Sequence, residues 1–163
     1  QAELGVSKDK AEELFSIYHE RVPFVKTLTR SVSNRAQQRG QIRTLLGRLC
    51  RFHLWEPNSF GMHKALPFDQ AVQEHGPGIK RAYTYKALNK LIQGSAADMT
   101  KKSMLELYKE GIVAHIQVHD ELDISVEDDK KAKRIIEIME SAVSLEIPNK
   151  VDYEKGANWG EIK

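Results

Sequence analysis

Ile112-Val113-Ala114-His115-Ile116-Gln117-Val118-His119-Asp120-Glu121-Leu122-Asp123-Ile124-Ser125-Val126 is the stretch whose reading decides the fold. Its even positions are apolar on both sides of a polar tripeptide: Ile112, Ala114, Ile116 and Val118, then Leu122, Ile124 and Val126. His115, Gln117, Glu121, Asp123 and Ser125 fill most of the odd positions. Alternation with period two predicts a pair of half-buried strands. The loop between them decides which faces coincide, because a slip of one residue turns a strand over. A two-residue loop sets Val118 opposite Glu121 and puts the two apolar sets on different faces. An odd loop, with Val118 opposite Leu122, puts them on one face. The expectation is therefore an odd loop with His119, Asp120 and Glu121 at the tip. Adjacent carboxylates are poor hairpin chemistry, where Gly or Asn is usual. A broken local rule of this kind marks a candidate functional site.

Working outward, the acidic tip has basic company. The chain has 163 residues and a formal net charge of +2, so the total charge says little. Its distribution says more. Arg21 to Trp55 contains no Asp or Glu but holds Arg21, Lys26, Arg30, Arg35, Arg39, Arg43, Arg48 and Arg51. A second acid-free run, Gly76 to Ala97, holds Lys80, Arg81, Lys86 and Lys90. Segregation of this sort reads as a polyanion-binding face, against the plainer reading of ordinary solvated helix surfaces. Cys50 is the single cysteine, so an internal disulfide or a cysteine-rich zinc site is excluded. No apolar run is long enough to cross a bilayer, and a reducing, cytoplasmic setting is expected. The first residue is Gln, not Met, which suggests a processed, excised or trimmed chain.

In chain order, Ser7 is placed to cap a helix running to about Glu20, with Ala11, Leu14, Phe15 and Tyr18 at helical spacing. Pro23 suits the first turn of a second helix that stops at Gly40. Gln41 to Leu45 and Arg48 to His53 then form a predicted hairpin around Gly47. From Leu54 to Gly78 periodicity fails, and a long loop with one helical turn is expected, with an internal boundary there. Helical pattern returns from about Ile79 to Glu110, with a kink expected at Gly94-Ser95 and an apolar stripe of Leu88, Leu91 and Ile92. Tyr85, Asn89 and Gln93 recur four residues apart on another face, beside Lys86 and Lys90. Asn and Gln one turn apart suit the minor groove, where every correct base pair shows acceptors at purine N3 and pyrimidine O2. A last helix is expected from Asp128 or Asp129 to about Leu145, with Ala132, Ile135, Ile136, Met139 and Val143 inward, then a short strand from Lys150 to Tyr153. The expected class is α+β: a helical first part, then an antiparallel hairpin backed by helices.

A carboxylate on a rigid hairpin tip facing basic surface is a natural ligand for Mg²⁺, which keeps waters and phosphates alongside few protein carboxylates. In two-metal phosphoryl transfer the ions lie roughly 3.5–4 Å apart and act on the attacking and leaving oxygens. Asp120 ranks first as a ligand, Glu121 stands beside it, and His119 is placed to touch a phosphate or sugar near the reacting end. Other chemistries find no support. No Gly-rich phosphate loop is present, the six histidines lack zinc spacing, and there is no Gly-x-Ser-x-Gly elbow. Ser95 reads as a helix-kink residue.

The run Leu88-Asn89-Lys90-Leu91-Ile92-Gln93-Gly94-Ser95-Ala96-Ala97-Asp98-Met99, followed by Gln117-Val118-His119-Asp120-Glu121-Leu122, resembles the C-terminal part of family A DNA polymerases. That family comprises the bacterial DNA polymerase I enzymes and their phage relatives. Thr44-Leu45-Leu46-Gly47-Arg48, Tyr18-His19-Glu20-Arg21-Val22-Pro23 and Gly156-Ala157-Asn158-Trp159 add to the match, in order along the chain. The resemblance implies that residues 1–78 are the end of a fingers subdomain and 79–163 a portion of the palm. It implies that Asp120 is the second catalytic carboxylate and a ligand of paired Mg²⁺ ions. Glu121 would be its neighbouring acid, and His119 would lie near the primer end. Asn89 and Gln93 would contact the minor groove of primer–template DNA, and Arg43, Arg48 and Arg51 its backbone. Where the family commonly has Arg one turn before the Asn, this chain has Tyr85, with Lys86 beside it. Nothing here matches the family's first catalytic Asp, the fingers helix that binds the incoming deoxynucleoside triphosphate, or the thumb. A companion chain supplying them is expected, and the isolated chain should bind DNA weakly and catalyse nothing. The rivals are a non-catalytic DNA-binding accessory module and, less well supported, a metal-dependent nuclease.

Overall fold

Local capping explains where the first helices begin and end. In the computed structural model, which describes residue 5 and residues 7–162, α1 spans Lys8–Arg21 and Ser7 caps it by accepting the Lys10 amide through Oγ. Pro23 opens α2, Pro23–Arg39, where a missing N–H costs nothing. Gly40 closes it in the left-handed region at φ 67°, its amide bonded to the Ala36 carbonyl. The expected stripe of α1 is not a core face: Leu14, Phe15 and Tyr18 are exposed.

The described residues divide into two compact units, those up to 43 with 48–91, and 44–47 with those from 92 onward. In the first, β1 (Gln41–Arg43) and β2 (Leu49–Arg51) form the expected antiparallel hairpin, with Ile42 opposite Cys50. Ile42 is buried with Val32, Ala36, Phe52 and Ala87, and Cys50 and Leu91 pack on that cluster.

The stretch expected to be a long loop is more ordered than its composition suggests. Trp55–Pro57 forms β3 and pairs antiparallel with β4, Ile79–Arg81, and α3, Phe68–His75, lies between them in sequence. These strands are three residues each and their partners lie more than twenty residues apart, so no local period announces them. Phe68 packs edge-on against Trp55 at 5.1 Å between ring centres. The Arg81 guanidinium lies 4.5 Å from the Trp55 ring centre and donates to the carbonyls of Gln37 and Phe52. β4 pairs with β3 within the first compact unit, which runs on to residue 91.

The helix expected from Ile79 starts later. A 3-10 turn at Thr84–Lys86 leads into α4, Ala87–Lys109, which is an uninterrupted helix through Gly94. Leu88 and Leu91 are partly buried as expected, but Ile92 is exposed.

In the second unit α5, Asp129–Ser141, is capped by Asp128, whose Oδ1 accepts the Lys131 amide at 2.7 Å. Ala132, Ile135 and Ile138 are its buried residues; Ile138 takes the inner position expected of Ile136. Leu107, Ile135 and Ile138 form the core, with Ile112, Leu122, Ile124 and Met139 packed against it. The strand expected at Lys150–Tyr153 does not form; the Val151 amide instead bonds the Glu140 carboxylate. The described residues thus give five α-helices and three two-stranded antiparallel sheets, an α+β architecture.

Candidate functional site

The central hairpin exists, but its register is the one the alternation argued against. Strand β5, Ile116–Val118, pairs with β6, Glu121–Asp123, with Val118 opposite Glu121 and Ile116 opposite Asp123. The loop is therefore His119-Asp120 alone, and Glu121 is the first residue of β6. The apolar sets lie on opposite faces. Leu122 and Ile124 turn toward the core of α4 and α5, while Ile116 and Val118 share a face with Glu121 and Asp123 and are 41% and 37% exposed. The odd-loop argument assumed that all the alternating apolar residues meet one core. Within this chain the β5 set does not.

His119 carries the strain of the tight turn, with φ 53°, a region that few residues other than Gly adopt. Its carbonyl accepts the Gln117 side-chain amide at 3.0 Å, which ties the turn to β5. His119, Asp120 and Glu121 are all exposed. Asp123 shares the strand face of Glu121, and its Oδ2 is buried with no hydrogen-bond partner among the described residues. A buried acceptor without a donor is costly, which makes this face an incomplete surface.

Whether the turn suits Mg²⁺ is a question of donors. Neither Asp120 nor Glu121 is engaged in a salt bridge among the described residues, so their oxygens face solvent for coordination. Mg²⁺ uses one or two protein carboxylates and completes its octahedron with water and phosphate, so the turn fits as a partial ligand set. Among the described residues no three His, Cys, Asp or Glu side chains cluster to hold an ion.

The basic and polar residues fall as follows. Arg43 and Arg51 lie on the outer face of the β1–β2 hairpin, opposite the buried Ile42, and both are exposed. Arg48, also exposed, sits just before β2. Tyr85 and Lys86 occupy the 3-10 turn before α4, with the Lys86 ammonium 5.3 Å from the Tyr83 ring and 5.5 Å from that of Tyr85. Asn89 and Gln93 are exposed, one turn apart on α4.

Three polar residues were missed. Thr44 donates its hydroxyl to Asp98 Oδ2 at 2.5 Å, and the Leu45 amide donates to Ser95 Oγ at 2.9 Å. Ser95, read as a kink residue, is thus an acceptor for a turn fifty residues away. The signal was present: the helical row through Leu88 and Leu91 continues to Ser95 and Asp98, so polar side chains stand where apolar ones are due.

Comparison with known proteins gives the class of these elements. The family model described as DNA polymerase family A matches residues 1–161. The DNA-directed DNA polymerase of Pseudomonas phage M6 is 36% identical over 151 residues, covering 93% of this chain and 20% of that protein. DNA polymerase I of Bacillus caldotenax is 32% identical over 169 residues, covering 98% and 17%. Among solved structures, the POL domain of Pol1 from M. smegmatis, in complex with DNA primer-template and dNTP, is similar with a TM-score of 0.64 at 27% identity. That match covers 90% of this chain and 24% of the other. The chain belongs to DNA polymerase family A. It spans about a fifth of the length of the curated relatives it matches.

Proposed function

We propose that this chain is the part of a template-directed DNA polymerase that contributes one metal-binding carboxylate and a share of the duplex contacts. The observation that carries the reading is the two-residue turn His119-Asp120. It holds an exposed carboxylate at the end of a hairpin whose other strand is packed on the α4–α5 core. Asp120 is the ligand, with Glu121 beside it at the start of β6 and His119 placed for the primer terminus. Held by Asp120 and Glu121, Mg²⁺ would supply charge stabilisation for phosphoryl transfer. The chain's own residues position. Asn89 and Gln93 offer amide donors to minor-groove acceptors that every correct pair displays. Arg43, Arg48, Arg51 and Lys86 hold backbone phosphates, with Tyr85 where the family commonly has Arg. Positioning and charge stabilisation account for most of catalysis in such reactions.

Two ions at a fixed spacing need more than one convergent carboxylate, and Asp120 and Glu121 are neighbours on one strand end. The other carboxylate, the nucleotide-binding helix and a cover for the Ile116–Val118 face are supplied by a companion polymerase chain. The isolated chain is inactive, and the assembly works in the cytoplasm of a bacterium or a phage-infected host. Asp120→Asn in the assembled polymerase abolishes Mg²⁺-dependent primer extension and leaves duplex binding nearly unchanged. Primer extension at near the parental rate would overturn the role of Asp120. Co-expression with neighbouring genes finds the companion. A folded chain for which co-expression captures no companion supports a non-catalytic accessory module instead.

A further inference from the structure

The turn between β1 and β2 is anchored more firmly than a surface hairpin needs. It closes on itself through the Gly47 amide and the Thr44 carbonyl, 2.9 Å apart, with Gly47 at φ 88°. It is then held from outside by the two hydrogen bonds to α4, Thr44 to Asp98 and Leu45 to Ser95. Thr44 and Asp98 are only 5% and 7% exposed, so the hydroxyl–carboxylate bond is shielded from competing water. A buried carboxylate is costly unless it keeps its donors. The turn is therefore held in one place on the helix that also carries Gln93.

An arginine stands at each end of this turn. Arg43 precedes Thr44 and Arg48 follows Gly47, so each guanidinium begins one residue from the fixed turn. Arginine forks bind phosphate with directional N–H groups and gain when their base is already ordered. We infer that Thr44, Ser95 and Asp98 form a latch that positions Arg43 and Arg48 for the phosphate backbone of primer–template DNA. They are positioning residues: they act through the arginines and do not themselves touch DNA. The inference rests on the reading of Arg43 and Arg48 as backbone contacts.

The test is a double-mutant cycle on the full 163-residue chain, using a fluorescent primer–template duplex and a titration of NaCl. Arg43→Ala with Arg48→Ala should weaken binding about tenfold or more and flatten the salt slope by roughly two. Thr44→Val, which removes the hydroxyl and keeps the shape, should weaken binding about threefold to tenfold, as for a lost coupling of roughly 1 kcal/mol. Thr44→Ser should restore it. In the arginine-free background Thr44→Val should change affinity less than twofold. A merely structural latch would weaken binding equally in both backgrounds, which overturns the inference, as does full affinity in Thr44→Val. If the arginine variant binds normally, the underlying contact reading fails instead. Should Thr44→Val not fold by circular dichroism, Ser95→Ala, which removes the other anchor, runs through the same cycle with the same criteria.

Discussion

Single residues in this chain show how position outweighs type. Leu107, on α4, is 1% exposed and packs with Ile135 and Ile138 of α5. Leu107→Ala removes buried methyl groups and leaves a cavity, and should cost about 2–5 kcal/mol in a denaturant titration. Gly40 is set by two constraints at once. Its φ of 67° disfavours a side chain, and an added Cβ would lie 2.7 Å from the Arg81 Cζ. That guanidinium cannot swing away cheaply, because two carbonyls and the Trp55 ring hold it. Gly40→Ala should therefore destabilise by about 1–3 kcal/mol, read as a lower melting temperature. His119 lies in a related region of backbone space at φ 53° with a bulky side chain in place. Strain retained at the acidic turn agrees with the functional role proposed for it.

At the scale of elements, α5 is tied to the end of α4 by more than apolar contact. Arg134 donates to both carboxylate oxygens of Glu110, and these hydrogen bonds are the main cause that lowers the Glu110 pKa below its ordinary value. Asp129 is lowered in the same way by Lys155. A carboxylate whose folded pKa is depressed contributes stability that is fully present above its unfolded pKa and fades as pH falls through the folded value. Arg134→Gln should accordingly lower the melting temperature at neutral pH, and the gap from the parent should narrow as the solution is acidified below the ordinary carboxylate range. A gap that stays constant with pH would show that Arg134 acts through packing of its stem. The pair is solvent-exposed, so its effect is small and falls with added salt.

For the whole molecule, the function proposed depends on charge arranged over a nearly neutral chain. The net charge of +2 conceals two acid-free stretches, and the outward arginines Arg43, Arg48 and Arg51 belong to the first. If these three neutralise one phosphate each, duplex binding should fall with salt at a slope of roughly −3 in log–log form, since each phosphate contributes about −0.9. Affinity that is indifferent to salt between dilute and physiological buffer would remove the arginines from the interface. The same measurement with and without Mg²⁺ separates the two halves of the proposal, because backbone binding by arginine needs no metal.

The sequence by itself determined the helices bounded by strong local signals, namely Ser7, Pro23, Gly40 and Asp128. A cap is a bargain among residues three or four apart, so it can be read without knowing the fold. It also determined that two alternating strands meet around Asp120, and the family motifs that carry that hairpin. Tertiary structure decided the register. Whether Val118 faces Leu122 or Glu121 depends on which strand face finds a core, and only the Leu122–Ile124 face meets α4 and α5. It also decided the pairing of β3 with β4 and the docking of Thr44 and Leu45 on Asp98 and Ser95, contacts made across tens of residues. No local period records such partners, because the free energy that selects them comes from burial shared between distant segments.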